Sequence, residues 1–220
     1  MVILTDLSDV LIHGLYGVDK ILAKHYGKNA AETFWQRHLE TEEDFRELMR
    51  GNMSEDDYWR LLLQGNDWPF GIQEIKDIFS ENLRRDIPGT LGVYQRIITH
   101  PRSLRHRYDV LLGTPEIYII SDHIEERIEE IYQYHPDIFN VAQKAFWSCE
   151  LGNIKMDETF FPQLLRVFDM PIDEFIFVDD NAYNTTAASL AGIASIYFKN
   201  AKQLEKTLEA YGFEFAPVAS

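Results

Sequence analysis

The sequence predicts an α/β protein with a doubly wound parallel sheet and a helical segment inserted after the first strand. Short apolar runs occur at Val2-Ile3-Leu4, at 117–120 and at 175–178, and an acidic residue follows each run directly or within two positions. Such runs are typical of strands that are buried on both faces of a parallel sheet. Helical patterns separate the runs, and strands that alternate with helices indicate parallel connections.

The segment after the first strand contains only helical patterns. Gly27 is predicted to end one helix, and Ser54 is predicted to begin another before a first turn of acidic residues. The residues TEED at 41–44 are predicted to form a capping box with aspartate in place of the usual glutamate.

The rest of the chain returns to alternating strands and helices. The predicted elements are a strand at 116–120, a short strand at Phe146-Trp147, a loop at 150–157, a helix at 160–168, a strand at 175–178, a helix at 181–190, a strand at 193–197 and a helix at 199–211. We therefore expect a core domain formed by residues 1–14 and 87–220, with residues 15–86 forming a helical domain inserted into it.

The composition indicates a globular protein that binds neither nucleic acid nor membranes. The 220 residues are 45% hydrophobic and carry a formal net charge of -15, which argues against nucleic acid as a partner. The single cysteine, Cys149, suits a reducing compartment. Because we find neither a leader-peptide pattern nor an apolar stretch long enough to cross a bilayer, we expect a cytoplasmic protein. The basic segment at 100–115 is interpreted as a solvated loop rather than a contact surface.

Polar residues follow three of the predicted strands. Asp6 follows the first strand, Ser121 ends the second, and Asp179-Asp180 follow the strand at 175–178. Because parallel sheets bind ligands beyond the carboxyl ends of their strands, we expect these side chains to lie together, with Lys155 beside them. Clustered carboxylates need a cation to stay ionised, and their oxygens suit Mg²⁺. A carboxylate nucleophile, a metal and donors for a phosphoryl group together predict phosphoryl transfer.

Four motifs in this order resemble those of the haloacid dehalogenase-like (HAD) hydrolase superfamily. They are DLSDVL at 6–11, Ser121 after IYII, Lys155 within ELGNIKMD, and DDNAYN at 179–184. The resemblance covers nearly the whole chain and implies a Rossmann-like core with the helical segment at the position of a C1 cap. DLSDVL and FVDDNAYN look most similar to the sugar-phosphate phosphatase branch, including α-glucose-1-phosphatase-like proteins.

The resemblance implies a Mg²⁺-dependent enzyme in which Asp6 is the nucleophile. The implied catalytic residues are Asp6, Ser121 and Lys155. The implied metal ligands are Asp6, the backbone carbonyl of Ser8, Asp180 and the neighbouring Asp179. The predicted substrate contacts are Ser8, Asp122, His123 and Asn184.

Ser8 departs from the family pattern. Most phosphatases that the sequence resembles carry an aspartate two residues after the nucleophile, as general acid for the leaving group and base for the water. The loss of a general acid costs about 10²–10⁴-fold in rate. Three accounts compete. The leaving group, such as an anomeric sugar oxygen, departs without protonation; Asp9, His13 or His123 takes the role; or the protein mainly binds a phosphorylated ligand.

The sequence thus predicts a phosphatase that hydrolyses a small phosphomonoester, with a sugar phosphate suggested by the resemblance, through an aspartyl-phosphate on Asp6. The alternative is a phosphate-ligand-binding or regulatory protein on a catalytically weakened scaffold. A haloacid dehalogenase is less favoured, because the resemblance implies neutral residues in dehalogenases where this chain has Asp179 and Asp180. We expect a small phosphorylated metabolite as the partner, and a monomer or homodimer. Residues of the helical domain that could face the crevice are Trp35, Arg37, His38, Arg50, Trp59 and Arg60.

Overall fold

A sheet of five parallel strands forms the centre of the protein. The structure is a computed structural model that describes residues 1–100 and 114–217. Its strands are β1 (Val2–Thr5), β2 (Glu116–Ser121), β3 (Lys144–Trp147), β4 (Phe175–Asp179) and β5 (Ala194–Tyr197). They lie in the order β3-β2-β1-β4-β5, and every neighbouring pair is parallel. The predicted doubly wound α/β fold is confirmed.

Helices cover both faces of the sheet and fill the segment after β1. The helices between β1 and the return to the core are α1 (Val18–Tyr26), α2 (Lys28–Glu40), α3 (Glu42–Met49), α4 (Glu55–Leu63) and α5 (Ile72–Leu83). The helices of the core are α6 (Thr90–Thr99), α7 (Glu125–Tyr134), α8 (Pro136–Val141), α9 (Ser148–Leu151), α10 (Phe160–Leu165), α11 (Ala182–Leu190) and α12 (Ala201–Ala210). The inserted segment is helical, as predicted, and we call α1–α5 the cap. The exact domain boundaries stay a prediction.

The two faces of the sheet bury separate apolar clusters. Along β1, Ile3 packs into one cluster, whereas Val2 and Leu4 pack into the other. In β4, Ile176 and Val178 belong to the first cluster, and the phenylalanines between and beside them belong to the second. Successive strand residues point to opposite faces, so a strand that is covered on both faces must be apolar throughout. This explains the continuous apolar runs of the sequence.

Buried and half-buried ion pairs fasten the cap to the core. Glu55 of α4 is 1% exposed and accepts hydrogen bonds from Arg127 of α7 at 2.9 and 2.6 Å. Arg50, just after α3, donates two hydrogen bonds to the carboxylate of Asp157, at 3.1 and 2.8 Å. The second contact joins the cap to the loop that carries Lys155.

Several local predictions hold, and three are wrong. Gly27 ends α1 with a positive φ of 87°, and the Ser54 hydroxyl accepts a hydrogen bond from the Asp57 amide at the start of α4. The capping box at 41–44 does not form, because the Thr41 hydroxyl donates instead to the Arg37 carbonyl of the preceding helix.

The other two errors concern the ends of elements in the core. The predicted loop at 150–157 begins with two residues of α9, and α10 ends at Leu165 rather than at 168. The basic segment at 100–115 lies almost entirely outside the described residues. Among the residues that the structure covers, no helix combines the length and the apolar character that a bilayer crossing needs.

Candidate active site

The carboxyl ends of β1 and β4 bring Asp6 and Asp179 together. Asp6 directly follows β1, Asp179 is the last residue of β4, and the two strands are neighbours in the sheet. The amide of Asp6 donates to the Val178 carbonyl at 2.8 Å, which continues the pairing past the end of β1. In the sheet, β2 and β3 lie to one side of β1, and β4 and β5 lie to the other. The site therefore lies at the switch point where open α/β sheets bind ligands.

Lys155 is the cation of this cluster. Its side chain is 2% exposed, and its Nζ lies 2.8 Å from Asp6 Oδ1 and 2.7 Å from Asp179 Oδ2. Burial lowers the pKa of Lys155, but the carboxylates of Asp179 and Asp6 outweigh it and hold the pKa above its ordinary value. Lys155 is therefore charged at neutral pH.

The environment of Asp6 and Asp180 disfavours their charge. Burial raises the pKa of Asp6 well above its ordinary value, Lys155 opposes this shift, and Asp179 adds to it. Burial, followed by the charge of Asp179, raises the pKa of Asp180 to about 6. A further positive charge at this position would favour the ionised forms of both carboxyl groups.

Three carboxylates offer oxygen atoms at distances that suit one metal ion. One oxygen each from Asp6, Asp179 and Asp180 lies within 4.8 Å of the other two. With these three ionised and Lys155 protonated, the four side chains carry three negative charges against one positive charge. A divalent cation would balance the remainder, and Mg²⁺ prefers oxygen ligands of this kind. The residues therefore fit Mg²⁺.

Asn184 holds the carboxylate of Asp179 in place. Its Nδ2 donates to both oxygens of Asp179, at 3.2 and 3.1 Å, and the Asn181 amide donates to Oδ1 at 2.7 Å. The Oδ1 atom of Asn184 is buried and has no partner among the described residues. Asn184 thus positions Asp179 and also lines the cavity above the site, where the sequence predicted a substrate contact.

Ser121 presents a buried hydroxyl without a partner. The residue ends β2 and is fully buried, and its Oγ makes no hydrogen bond within the described parts of the chain. An unpaired buried hydroxyl costs about 1–3 kcal/mol, and a ligand that supplies the missing partner removes this cost. Ser121 is not among the residues that line the cavity above the site, so its contact with a phosphoryl oxygen stays a prediction.

Asp122 and His123 follow Ser121 and line the cavity. The carboxylate of Asp122 accepts a hydrogen bond from the Lys155 amide at 3.1 Å, and burial raises its pKa to about 6. Burial lowers the pKa of His123 to about 4. His123 Nδ1 accepts a hydrogen bond from the Ile124 amide at 3.0 Å, so the proton of the neutral ring is on Nε2.

The structure distinguishes between the residues that could replace the general acid missing at Ser8. Ser8 and Asp9 line the same cavity as Asp6, whereas His13 is not among the residues that line it. Asp9 adopts a left-handed backbone conformation, with a φ of 57°, and accepts a hydrogen bond from the Gly14 amide at 3.2 Å. Burial raises the pKa of Asp9 to about 7. Asp9 and His123 therefore remain next to the site, and His13 does not.

A cavity of about 450 Å³ lies between these residues and the cap. Its core side contains Asp6, Asp180 and Lys155, further polar residues and two apolar ones: Ser8, Asp9, Asp122, His123, Asn181, Asn184, Ile154 and Met156. Its cap side is mostly apolar or aromatic, and we call these residues the apolar wall: Leu15, Tyr16, Trp35, Leu39, Phe45, Met49 and Phe79. The polar residues on the cap side are His38, Glu42 and Arg46.

Only two of the six cap residues that the sequence suggested line this cavity. Trp35 and His38 do so. Arg37 donates to the carbonyls of Leu61 and Leu62, and Arg50 binds Asp157. The other two also have partners within the protein: Trp59 is buried and donates to Glu55, and Arg60 pairs with Asp57.

The sequence did not predict most of the residues of the apolar wall. Trp35, His38 and Leu39 have the spacing of one helix face, which indicates a shared surface. The spacing does not reveal what that surface faces. Tyr16 and Leu39 are large apolar residues that are 59% and 68% exposed, and this unusual exposure becomes visible only in the structure.

Solved structures share the fold of this chain. A HAD family enzyme from Bacteroides thetaiotaomicron matches 94% of this chain and 97% of its own, with a TM-score of 0.66 and 15% identity. The HAD-hydrolase YfnB from Bacillus subtilis, solved with magnesium, matches 94% of this chain and 98% of its own, with a TM-score of 0.65 and 13% identity. The L-2-haloacid dehalogenase from Xanthobacter autotrophicus matches 99% and 85%, with a TM-score of 0.61 and 12% identity.

The chain has the HAD-like fold. This confirms the resemblance that the four motifs indicated, at the level of the fold. The similarity to sugar-phosphate phosphatases and the C1 type of the cap stay predictions, as do the roles of the individual site residues.

One curated protein also resembles the HAD-like chain in sequence. Drimenol cyclase drtB from Aspergillus calidoustus is 26% identical over 168 residues, which are 74% of this chain and 29% of that protein. The match therefore spans less than a third of the length of this curated relative. No protein-family model matches the sequence.

Proposed function

We propose that the protein is a Mg²⁺-dependent phosphatase that hydrolyses a small phosphomonoester through an aspartyl-phosphate on Asp6. The observation that carries the proposal is the cluster of Asp6, Asp179 and Asp180 around the ammonium of Lys155. Its two uncompensated negative charges call for a divalent cation, and a metal-bound carboxylate cluster usually shares its ion with a phosphate.

The residues divide the chemistry between them. The hydrogen bonds that Asp6 accepts from the Leu7 amide and Lys155 both reach Oδ1, which leaves Oδ2 for attack on phosphorus. Attack forms the Oδ2–P bond and breaks the bond from phosphorus to the ester oxygen, which leaves with its electron pair and takes up a proton from Asp9 or from water. Water then attacks the phosphorus, releases inorganic phosphate and regenerates Asp6.

The positive groups and the hydroxyl donor mainly stabilise the charge of the phosphoryl group and hold it in position. Lys155 and the unpaired Ser121 hydroxyl would hold phosphoryl oxygens. Mg²⁺, held by Asp6, Asp180 and the Ser8 carbonyl with Asp179 close by, would keep Asp6 ionised and neutralise charge on the phosphoryl group when bound. The magnesium and inorganic phosphate found in a complex of the Bacteroides thetaiotaomicron enzyme support this assignment.

Two other activities are weaker candidates. A haloacid dehalogenase shares the fold, but Asp179 and Asp180 favour the phosphatase for the reason given above. Cyclase activity belongs to a relative of which this chain matches less than a third, and we do not propose it here.

The test is phosphate release from p-nitrophenyl phosphate and a panel of small phosphomonoesters, with Mg²⁺ or with EDTA. We expect release that requires Mg²⁺ and is abolished by Asp6→Asn. Asp67→Asn, at an exposed loop position, is the matched control and should keep full activity. Chloride release from 2-chloropropionate in EDTA would overturn the proposal in favour of a dehalogenase. No turnover with a Mg²⁺-dependent rise in Tm would overturn it in favour of a binding protein.

A further inference from the structure

The cap side of the cavity contains few groups that could bind a polar substrate. Five of the seven residues of the apolar wall are leucine, methionine or phenylalanine, and these side chains have no strong hydrogen-bonding group. A sugar brings several hydroxyl groups into its site, and each buried hydroxyl without a partner costs free energy. This wall offers such hydroxyls few partners.

The polar residues of the cap side are already engaged. Arg46 pairs with Glu42 at 2.7 Å and with Glu43 at 3.3 Å. His38 Nδ1 lies 2.8 Å from the Tyr58 hydroxyl, and burial holds the ring neutral. A sugar or a second anionic group would have to share Arg46 and His38 with these partners in the cap.

The wall also exposes apolar surface that the fold itself does not cover. Leu39 is 68% exposed and Tyr16 is 59% exposed, and Tyr16 stacks on Trp35 with a centroid distance of 5.6 Å. Apolar surface that lines a cavity beside convergent polar groups is typical of a small-molecule site. The polar groups here are those of the phosphatase site, so the cavity has a polar end and an apolar end.

We propose that the substrate is the monophosphate ester of an apolar alcohol, with its phosphate at Asp6 and Lys155 and its hydrocarbon group against the apolar wall. The inference rests on the proposed phosphatase function and names its substrate class. It differs from the sugar phosphate that the sequence suggested, because the sequence did not reveal which cap residues face the site. The cavity of about 450 Å³ lies within the range of small-molecule sites, about 300–1,000 Å³.

The test compares methyl, butyl and octyl phosphate with glucose 6-phosphate, all of which are esters of primary alcohols. The alkyl esters differ little in the chemistry of the leaving group, so chain length reports on binding by the wall. We expect kcat/KM to rise about fourfold for each methylene that enters the cavity, equivalent to about 0.8 kcal/mol. Octyl phosphate should exceed glucose 6-phosphate. A flat chain-length series, or glucose 6-phosphate at the level of octyl phosphate or above it, overturns the inference and leaves the phosphatase standing.

Variants at exposed leucines locate the effect. Leu39→Asn should reduce the octyl-to-methyl ratio of kcat/KM by about tenfold, because it places an amide against the hydrocarbon chain. Leu190→Asn is the matched control, since Leu190 is 85% exposed at the end of α11 and does not line the cavity of the proposed site. It should leave the ratio unchanged. If the two variants have equal octyl-to-methyl ratios of kcat/KM, the hydrocarbon group does not bind at the apolar wall.

A binding measurement separates failure of this inference from failure of the proposed function. Octylphosphonate and methylphosphonate cannot be hydrolysed at the P–C bond, so their affinities in the presence of Mg²⁺ do not depend on turnover. We expect octylphosphonate to bind at least tenfold more tightly, as about two buried methylenes would require. Equal affinities overturn the inference even if esters are hydrolysed. Tighter binding of octylphosphonate without turnover of any ester supports the apolar ligand and overturns the phosphatase.

Discussion

Removing the ammonium of Lys155 should destabilise the folded protein and make its stability depend on pH. At an effective dielectric constant of about 20, each contact of Lys155 with Asp6 or Asp179, near 2.8 Å, is worth about 6 kcal/mol of attraction. The cost of burying the ammonium offsets much of this energy. Loss of one partner from a buried ion pair typically costs about 3–5 kcal/mol, and we expect this loss for Lys155→Met at pH 7.

The pH dependence follows from the carboxylates that remain. Without Lys155, the pKa of Asp6 in the folded state rises still further above its value in the unfolded chain. The folded state then binds more protons than the unfolded state between these two pKa values, and stability falls as pH rises through that window. The loss in free energy of unfolding of Lys155→Met, relative to the wild type, should therefore be smaller at pH 5 than at pH 7.

The assay is urea unfolding of the wild type and Lys155→Met at pH 5, 6 and 7. Lys202→Met, at an exposed position of α12, removes the same charge and is the control. Excess Mg²⁺ should restore part of the lost stability, because it binds the folded state. A variant as stable as the wild type at pH 7, or a deficit that does not shrink at pH 5, refutes the assignment of Lys155 as the charge partner of this cluster.

Two further predictions concern the cap. Burial lowers the pKa of His38 to about 4, so the folded state resists protonation while the unfolded chain accepts a proton near pH 6.5. The wild type should therefore lose about 2 kcal/mol more stability than His38→Phe between pH 7 and pH 5, and equal losses in urea unfolding would contradict this. Glu55→Leu removes the buried carboxylate that accepts two hydrogen bonds from Arg127 and leaves Glu130 as its remaining carboxylate partner, so it should cost about 3 kcal/mol, whereas Glu81→Leu, at an exposed position of α5, should cost far less. If the two variants lose similar amounts of stability in thermal and urea unfolding, the Glu55–Arg127 pair does not hold the cap to the core.

The core of the site followed from the sequence because parallel strands share one edge. Once 2–4, 117–120 and 175–178 were recognised as strands of one parallel sheet, the residues after them had to meet at its carboxyl end. The prediction that Asp6 and Asp179 lie together used only these strand patterns. Lys155 lies on a loop, so strand geometry does not place it beside them, and its predicted position gained its main support from the resemblance.

The tertiary structure decided the cap side of the cavity. Helical periodicity indicates which residues share a face, but the packing of five cap helices on the core determines what each face meets. Trp35 and Leu39 therefore line the cavity, whereas Arg37 turns away to backbone carbonyls of the cap. Thr41 shows the same limit at short range, because its hydroxyl had a carbonyl of the previous helix as a competing partner.

The sequence by itself determined the sheet, the inserted helices and the acidic cluster, since these depend on local apolar patterns and on the geometry of parallel strands. Only the tertiary structure showed that Lys155 contacts both Asp6 and Asp179, that the Ser121 hydroxyl has no partner among the described residues, and that an apolar wall lines the cavity. The physical reason is that charge balance and cavity chemistry depend on side chains from distant segments. Their distances are set by packing, and no local pattern encodes them.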